Sequence, residues 1–324
     1  MYLSKTPLRI SFLGGGSDLE SFYSSEPGMV ISTSIDKYIY LTMHSLFEKG
    51  ENFLKYSKSE KTKDINNIKH PIIREVLKEY QISNIDFNSS ADIPSGTGLG
   101  SSSAFTAGLI NLCLNFNNQT KSNYWIAEEA CSIEIKRLKE PIGKQDQFAC
   151  ALGGFNQLTF CKNGKVLVEP IRINPKDYQN LNDNLYMYYT GIKRSASSIL
   201  HEQKKETSKE DKFQVMKQMV EMVPIGKALL ENGKLDEFGT LLHEGWKLKK
   251  QMTSNISNQT IEQMYQLGIN SGALGGKLLG AGGGGFLLFY VPSQNKLKFK
   301  KVMNNNFRHV PFRFEQKGTS CIKL

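Results

Sequence analysis

Three alternating glycines followed by three serines make up the segment of this sequence that is best suited to bind an anion. Gly96, Gly98 and Gly100 alternate within residues 94–104, PSGTGLGSSSA, and a helix-forming run follows the serines. Glycine adopts positive φ angles without strain, so the backbone of such a segment can approach a ligand closely. Unpaired N–H groups at a helix N-terminus carry partial positive charge and bind phosphate groups. The segment therefore predicts a phosphate-binding loop, with a flexible loop and a serine helix cap as the alternative.

The common nucleotide-binding fingerprints do not describe this loop. Every Gly-Lys pair in the chain is followed by a residue other than Ser or Thr, so the P-loop pattern is absent. The glycines in residues 94–104 are not spaced as G-x-G-x-x-G, and the chain has neither the H-R-D nor the D-F-G motif of protein kinases. A phosphate-binding loop of another type is therefore predicted.

Composition narrows the class of protein. The 324 residues are 39% hydrophobic and 22% charged, which is typical of a soluble globular protein of one or two domains. The five cysteines are odd in number and form no C-x-x-C pair, which argues against a zinc site or a disulfide framework. No signal peptide or membrane-spanning stretch is recognisable, so we expect a cytoplasmic protein without a membrane partner.

The formal net charge of +10 raises the question of a nucleic-acid partner. The basic residues are scattered, and their densest cluster, residues 296–301, has no recognisable RNA- or DNA-binding motif beside it. We interpret this cluster as a solvated face and expect no nucleic-acid partner. A positive field also attracts small anionic molecules such as nucleotides and sugar phosphates.

The elements that position the loop follow an α+β pattern. The first part is strand-rich, and a strand at the edge of a sheet is predicted to lead into the loop, with two helices after it. The predicted elements of this part are strands at 8–13, 35–43, 85–87, 154–160 and 166–170, and helices from about 102 and over 122–138.

The second part is predicted to be mainly helical, with breaks at Pro224 and Gly233. Its predicted elements are a strand at 185–189, helices between 195 and 268, strands at 285–291 and 310–315, and a helix at about 294–305. Pro, Asn and Asp collect near 171–184, so we divide the chain into domains of residues 1–172 and 173–324.

Residues 94–104 resemble the second signature motif of the GHMP kinases, the superfamily of galactokinase, homoserine kinase, mevalonate kinase and phosphomevalonate kinase. Residues 6–18, TPLRISFLGGGSD, resemble the first motif of that family, and residues 279–286, LGAGGGGF, resemble the third. The motifs occur in the family's order along nearly the whole chain. The resemblance implies a two-domain α+β fold, with an N-terminal domain like domain 2 of ribosomal protein S5 and a ferredoxin-like C-terminal domain. The active site would lie in the cleft between them.

The resemblance implies ATP and Mg²⁺ as cofactors and assigns the donor side of the site. The phosphates of ATP are expected to contact the loop at Pro94, Ser95, Gly96, Thr97, Gly98, Leu99, Gly100, Ser101, Ser102 and Ser103. Tyr56 and Ser57, between two predicted strands, are our hypothesis for the adenine contacts.

Two carboxylates match the positions where the family carries its chemistry. Residues 143–148, GKQDQF, match the sequence around the catalytic aspartate of galactokinase-like members, and Glu134 lies at the place of their metal-binding glutamate. The resemblance therefore implies Asp146 as the catalytic base and Glu134 with Ser102 as Mg²⁺ ligands. Arg9 is expected to reach Asp146, keep it ionised and stabilise charge during transfer. A helix-capping aspartate and a surface glutamate are the alternatives.

The first motif also bears on the acceptor. Galactokinases carry Glu and His, which contact the sugar, where this chain has Gly15 and Gly16, so galactose is disfavoured. The string LRISFLGGGSDLESF resembles the branch of heptose 7-phosphate kinases and L-fucokinases, whose members phosphorylate the anomeric hydroxyl. We expect D-glycero-D-manno-heptose 7-phosphate as the acceptor, on a route to GDP-heptose and bacterial surface polysaccharides.

A phosphorylated acceptor requires a basic site away from ATP. The turn with Lys193 and Arg194 is predicted to hold the acceptor phosphate, with Lys144 as a second candidate and a capped helix with exposed cations as the alternative. The predicted acceptor-side residues are Arg9, Gly14, Gly15, Gly16, Ser17, Asp18, Lys144, Gln145, Lys193, Arg194, Gly283 and Gly284.

Three functions stay open from the sequence. The first is a sugar-phosphate 1-kinase, and the second is a kinase of the same fold for L-fucose or another sugar. The third is a ligand sensor of this fold without catalytic activity, which the presence of both Asp146 and Glu134 disfavours. A homodimer is also compatible with the sequence.

Overall fold

The computed structural model describes residues 1–48, 50–193, 202, 206 and 209–324. Within these residues the strands form two sheets, one of nine strands and one of four. The strands are β1 (Tyr2–Leu13), β2 (Gly28–Ser45), β3 (Asn52–Lys55), β4 (Ser59–Thr62), β5 (Ile85–Ala91), β6 (Phe155–Phe160), β7 (Val166–Pro170), β8 (Leu185–Tyr189), β9 (Gly275–Leu278), β10 (Phe286–Tyr290), β11 (Arg308–His309), β12 (Phe314–Glu315) and β13 (Ser320–Lys323).

Helices cover both sheets, and together with the strands they give the expected α+β class. The α-helices are α1 (Glu20–Tyr23), α2 (Pro71–Glu79), α3 (Ser101–Phe116), α4 (Asn123–Cys131), α5 (Gln145–Leu152), α6 (Pro175–Asn184), α7 (Glu210–Glu231), α8 (Leu235–Lys250), α9 (Gln259–Asn270) and α10 (Lys296–Asn306). Short 3₁₀ turns occur at Ile65–Asn67, Ser254–Ile256 and Ser293–Asn295. Among the described residues, none of the helices combines the length and the apolar character needed to cross a bilayer.

The larger sheet is built around β2. Its order is β13-β1-β2-β5-β3-β4, with β6 and β12 also paired to β2 and β7 paired to β6. Along β2 the buried side chains of Ile39, Leu41 and Met43 alternate with less buried neighbours, as expected for a strand with one face on the core. The prediction that residues 85–87 lie at a sheet edge is wrong, because β5 is flanked by β2 and β3. Strand β3 pairs with β5, and β4 pairs with β3. Both have only four residues, and neither was predicted from the sequence.

Helix α3 is the buried helix that begins at the phosphate loop. Gly100, with φ of +74°, precedes its first turn, and most of its residues are buried. Gly108 allows close packing on β1, since a Cβ there would lie 2.6 Å from Thr6 Oγ1. The predicted helix over 122–138 is present as α4 followed by a π-helical segment, Ser132–Arg137. This segment carries Glu134, and π-helical insertions are frequent at functional sites.

The smaller sheet has the order β11-β8-β10-β9, and all its pairings are antiparallel. Helix α7 runs through Pro224, so the predicted break there is wrong. Proline removes one backbone hydrogen bond, but Val220 and Val223 beside it are buried, and this tertiary packing maintains the helix. The break at Gly233 is present: its φ is +69°, and it separates α7 from α8.

The two sheets are joined by aromatic packing and by the course of the chain. Phe12 of β1 stacks on Phe155 at 5.2 Å and contacts Phe238 of α8 at 5.6 Å between ring centroids. The last strands, β12 and β13, return to the larger sheet and pair with β2 and β1. The predicted division of the chain at residue 172 does not include this return of the C-terminal strands to the N-terminal sheet. The domain boundary at residue 172 stays a proposal.

Candidate active site

A cleft of about 730 Å³ lies at the N-terminus of α3. The walls include parts of the first glycine segment, residues 14–16, and of the phosphate loop, residues 94–104. The start of α5 and two lysines, Lys249 of α8 and Lys277 of β9, also contribute to them. The predicted site residues that line it are Arg9, Gly15, Gly16, Asp18, Tyr56, Ser57, Pro94, Ser95, Gly96, Gly98, Gly100, Ser101, Ser102, Ser103, Gln145 and Asp146. Segments that are distant in sequence therefore meet around one cavity.

Arg9 and Asp146 form a two-pronged ion pair in this cleft. The Arg9 Nε donates to Asp146 Oδ1 at 2.8 Å, and Nη2 donates to Oδ2 at 2.7 Å. The remaining Nη1 donates to the carbonyl of Gly98 at 2.7 Å, so the same guanidinium ties the carboxylate to the phosphate loop. Paired, charge-assisted hydrogen bonds of this kind fix orientation as well as charge. The contact expected between Arg9 and Asp146 is present in the structure.

The glycines of the phosphate loop adopt conformations that other residues would not. Gly96, Gly98 and Gly100 have φ angles of +76°, +81° and +74°. A Cβ at Gly98 would lie 2.4 Å from the carbonyl oxygen of Leu279, in the third glycine segment. The side chain of Leu99 is fully buried and does not line the cleft. It anchors the loop, and its carbonyl accepts from the Arg9 N–H at 3.1 Å.

Thr97 has a similar anchoring role. Its side chain is buried, does not line the cleft, and donates to the Pro94 carbonyl at 2.9 Å. The predicted ATP contacts at Thr97 and Leu99 are therefore not provided by their side chains.

Glu134 and Ser102 form a buried oxygen pair beside the loop. Ser102 Oγ donates to Glu134 Oε1 at 2.7 Å, and Gln147 Nε2 donates to Oε2 at 2.8 Å. Burial raises the pKa of the fully buried Glu134 carboxyl, while hydrogen bonds from Ser102, Ser103 and Gln147 act against this. Mg²⁺ prefers oxygen ligands, usually one or two carboxylates together with water and phosphate. The pair therefore fits this ion, since a carboxylate and a hydroxyl meet next to a phosphate-binding helix terminus.

Asp18 connects the two segments of the acceptor side. Its Oδ1 accepts from the Gly16 N–H and its Oδ2 from the Gln145 N–H, both at 3.1 Å. Gly143 allows this approach, because a Cβ there would lie 2.0 Å from Asp18 Oδ2. Burial, and next the charge of Asp146, raise the pKa of the Asp18 carboxyl.

Gln145 links Asp18 to the ion pair. Its Nε2 donates to Asp146 Oδ1 at 3.0 Å. Its Oε1 is buried and accepts no hydrogen bond from the described part of the chain, although the residue lines the cleft. This oxygen is suitably placed to accept a hydrogen bond from a bound ligand.

Tyr56 and Ser57 lie at an apolar part of the cleft. The His70 ring stacks on Phe105 with centroids 5.3 Å apart, and Tyr56 packs edge-on against His70 at 4.9 Å. Burial lowers the pKa of His70, which favours the neutral ring. Ile39, Ile72 and Ala91 complete this wall. Such a surface suits a flat heteroaromatic ring.

Several predicted acceptor residues do not reach the cleft. Gly14 and Ser17 shape a tight turn: the Ser17 hydroxyl donates to the Gly14 carbonyl at 2.8 Å and accepts from the Met29 N–H at 3.0 Å. The Lys144 ammonium donates to the Gly164 carbonyl and lies 5.0 Å from the Tyr23 ring centroid. Lys144 is therefore turned away, because backbone and aromatic partners hold its side chain elsewhere.

The third glycine segment, residues 279–286, enters the cleft three residues earlier than predicted. Gly280 and Ala281 line the cleft, whereas Gly283 donates to the Ile256 carbonyl and Gly284 packs against Ile192. Lys193 is exposed and does not line the cleft, and Arg194 lies outside the described residues.

Two buried lysines in the cleft wall were not among the residues predicted from the sequence. Lys249, at the end of α8, donates to the Gly15 carbonyl at 3.0 Å, and Lys277 of β9 donates to the Phe12 carbonyl at 3.0 Å. Burial lowers the pKa of Lys249 to about 8 and that of Lys277 to about 7. Lys277 lies within the otherwise apolar and glycine segment GGKLLG, a pattern that could have indicated a buried cation. Lys249 lies in the run KLKK, which is typical of a solvated helix end.

Two family models match this chain. Residues 66–154 match the family model of the GHMP kinases N terminal domain, and residues 227–309 match that of the GHMP kinases C terminal. A D-glycero-alpha-D-manno-heptose 7-phosphate kinase from Campylobacter jejuni is 30% identical, over 99% of this chain and 98% of its own. A bifunctional fucokinase/GDP-fucose pyrophosphorylase from Arabidopsis thaliana is 26% identical over 90% of this chain and 30% of its own. The crystal structure of a D-glycero-D-manno-heptose 1-phosphate kinase from Bacteroides thetaiotaomicron superposes with a TM-score of 0.83 at 24% identity, covering 100% of this chain and 99% of that one.

Proposed function

Since the chain belongs to the GHMP kinases, has their two-domain fold and is a sugar kinase, we propose that it phosphorylates the anomeric hydroxyl of D-glycero-D-manno-heptose 7-phosphate with ATP. The observation that carries this choice of acceptor is the full-length similarity to the Campylobacter jejuni kinase. The small residues Gly15 and Gly16 in the cleft wall support it, because they leave room for a larger sugar. The product would feed GDP-heptose and surface polysaccharide synthesis. Cytoplasmic location and a homodimer remain predictions.

The donor side would hold ATP along the phosphate loop. The N–H groups at the start of α3 and the hydroxyls of Ser101 and Ser102 would contact its phosphates. Ser101 supports this, since the residue lines the cleft and its buried Oγ has no hydrogen-bond partner among the described residues. Glu134 and Ser102 would hold Mg²⁺, which, when bound, neutralises charge on the phosphates. Tyr56, Ser57 and the His70–Phe105 stack would accommodate the adenine ring.

Asp146 would act as the base. The anomeric oxygen attacks the γ-phosphorus, the bond from that phosphorus to the bridging oxygen breaks, and ADP leaves. The proton of the hydroxyl passes to Asp146 Oδ2, because Oδ1 already accepts from both Arg9 Nε and Gln145 Nε2. The Asp146 side chain is 29% exposed, so a substrate can reach it. Arg9 holds the carboxylate in place and supplies positive charge next to the transferred group.

The test is a phosphorylation assay with the purified full chain. ADP formation is measured with ATP, Mg²⁺ and, in separate reactions, heptose 7-phosphate, unphosphorylated heptose, L-fucose, galactose and mannose. We expect turnover of heptose 7-phosphate, with a 1,7-bisphosphate as the product by ³¹P NMR. Asp146→Asn should lower kcat by about 10²- to 10⁴-fold, the usual contribution of a general base. Wild-type kcat in a correctly folded Asp146→Asn protein would remove Asp146 from the mechanism.

L-fucose is the second candidate acceptor. The Arabidopsis thaliana relative, which carries a fucokinase activity in its name, matches 90% of this chain. This chain spans about a third of the length of that protein, so only its kinase part is comparable. Turnover of L-fucose without turnover of heptose 7-phosphate in the same assay would establish this candidate and exclude the first.

A further inference from the structure

Two lysines of the cleft come from different elements and converge on the same segment. Lys249 ends α8 and Lys277 lies in β9, and their side chains donate to carbonyls of Gly15 and Phe12, at the end of β1 and just after it. Both residues are more than nine-tenths buried, and both line the cleft. They also border a second cavity of about 10 Å³, whose other walls include Met219 and Met222. The aliphatic part of each lysine thus lies beside apolar side chains, while the residue also borders the cleft.

No acidic group among the described residues compensates the charge of Lys277. Arg9 is paired with Asp146, and Asp18 acts on Lys249 and raises its pKa against the effect of burial. Arg9 and Lys249 both lower the pKa of Lys277, and no acidic group among the described residues raises it. The Lys277 ammonium has three N–H donors, and its hydrogen bond to the Phe12 carbonyl uses one. A buried ammonium without a compensating anion is unfavourable, so this arrangement indicates a site for an anionic ligand.

A purely structural brace is the other explanation. A lysine that only donated to the Phe12 or Gly15 carbonyl would need no positive charge, since a neutral donor could make the same hydrogen bond without burying a charge. Two such lysines facing one cleft, from two elements and next to a third cation, are better explained by an anion that they share. The ATP phosphates are already provided for by the α3 N-terminus and the Glu134–Ser102 pair.

We propose that the ammonium groups of Lys249 and Lys277 bind the phosphate that the sugar acceptor already carries. The inference rests on the proposed function, since it requires a phosphorylated acceptor. Gly15 lies between the two ends of this site: Lys249 donates to its carbonyl, and a Cβ on Gly15 would approach Gln145 Oε1 at 4.0 Å. Gln145 in turn holds Asp146, the base. The sugar ring would lie along Gly15 and Gly16, with its reacting hydroxyl at Asp146 and its phosphate at the lysines.

The site has a pH dependence that follows from its charges. A phosphate dianion favours the protonated form of each lysine, and the lowered pKa of about 7 for Lys277 means that much of it is neutral in the free protein near pH 8. Binding of the phosphosugar should therefore take up protons at pH 8. Affinity should fall as the pH rises above 8. The other charged groups that act here are Arg9, Asp18 and Asp146.

The experiment compares Lys277→Met and Lys249→Met with a matched control, Lys250→Met. Lys250 lies on the same helix, does not line the cleft and pairs with Glu262. KM for heptose 7-phosphate should rise about 10- to 100-fold in each cleft variant, the usual effect of losing a hydrogen bond between charged groups. KM for ATP should stay within about twofold, and the control should match the wild type. Any rise in KM for unphosphorylated heptose, where activity is detectable, should be smaller than the rise for heptose 7-phosphate.

Other results separate the two proposals. If the wild type phosphorylates only unphosphorylated sugars, the proposed function fails, and this inference fails with it. If the wild type uses heptose 7-phosphate but the variants keep its KM, or lose kcat equally on both sugars, only the inference is overturned. If the methionine variants do not fold, proton uptake is measured on the wild type instead. Titration calorimetry with heptose 7-phosphate at pH 8, in two buffers of different ionisation enthalpy, gives the number of protons taken up on binding. Proton uptake supports the site, and its absence refutes it.

Discussion

Gly98→Ala tests whether the phosphate loop is held by a close backbone contact with the third glycine segment. Gly98 has a φ of +81°, and a Cβ there would lie 2.4 Å from the Leu279 carbonyl oxygen, 3.0 Å from its carbonyl carbon and 3.4 Å from Gly280 Cα. All three are backbone atoms, which cannot rotate away as the end of a flexible side chain can. The substitution must therefore separate the two segments or strain the loop.

The magnitude has two parts. Placing alanine in the left-handed region costs about 1–2 kcal/mol, reduced by about 0.4–1 kcal/mol because alanine restricts the unfolded chain. Overpacking of a tight contact adds about 1–3 kcal/mol. The sum is a loss of about 1–5 kcal/mol in the free energy of unfolding. Because the Gly98 carbonyl also accepts from Arg9, the ion pair to Asp146 should shift with the loop.

Gly50→Ala is the matched control. Gly50 has a φ of +87°, but a Cβ there would meet no atom of the described residues within 4 Å, so this variant contains the conformational part alone. Tm by calorimetry and KM for ATP are measured for both variants. We expect Gly98→Ala to lower Tm by a few degrees more than Gly50→Ala, at about 1.5 °C per kcal/mol for a chain of this length, and to raise KM for ATP. Equal Tm values with an unchanged KM for ATP in both variants would refute the role given to the backbone contact.

Two further predictions concern buried charges. Glu134→Gln should raise the Mg²⁺ concentration for half-maximal activity by about 10- to 100-fold, because one oxygen ligand loses its charge. The control is Glu128→Gln, at an exposed position of α4. If the Mg²⁺ titrations of the two variants superimpose, Glu134 is not a Mg²⁺ ligand. Lys277 binds fewer protons folded than unfolded between about pH 7 and 10, since its pKa is lowered by burial, so its contribution to stability increases with pH across this range. From pH 7 to pH 9, the Tm of the wild type should therefore rise relative to the Tm of Lys277→Met. A difference that does not depend on pH would argue against a buried, weakly basic Lys277.

The donor side of the site could be predicted from the sequence because its determinants are local. The glycines of residues 94–104 can adopt the positive φ angles that the loop has, and the serines that follow are suited to the start of a helix. The contact between Arg9 and Asp146 spans 137 positions, and it was expected only because of the resemblance to a known family. Residue types and spacing alone do not report such a distance.

The acceptor side could be predicted only in part, because it depends on burial. Lys249 lies in a run of lysines that is typical of an exposed helix end, yet the packing of α8 places it in the cleft wall. Lys144 sits beside the catalytic motif in sequence, yet the Gly164 carbonyl and the Tyr23 ring hold it outside the cleft. In both cases tertiary contacts decide which lysine meets the cleft, and no local pattern contains them.

The return of β12 and β13 to the larger sheet has a consequence for synthesis on the ribosome. Strand β1 is made first, but its neighbour β13 is made after every strand of the smaller sheet. During translation β1 therefore waits with an unpaired edge, which is a template for wrong pairing. Pairings of such high sequence separation also slow folding. The nascent chain should therefore need protection from association until residues 320–323 have emerged.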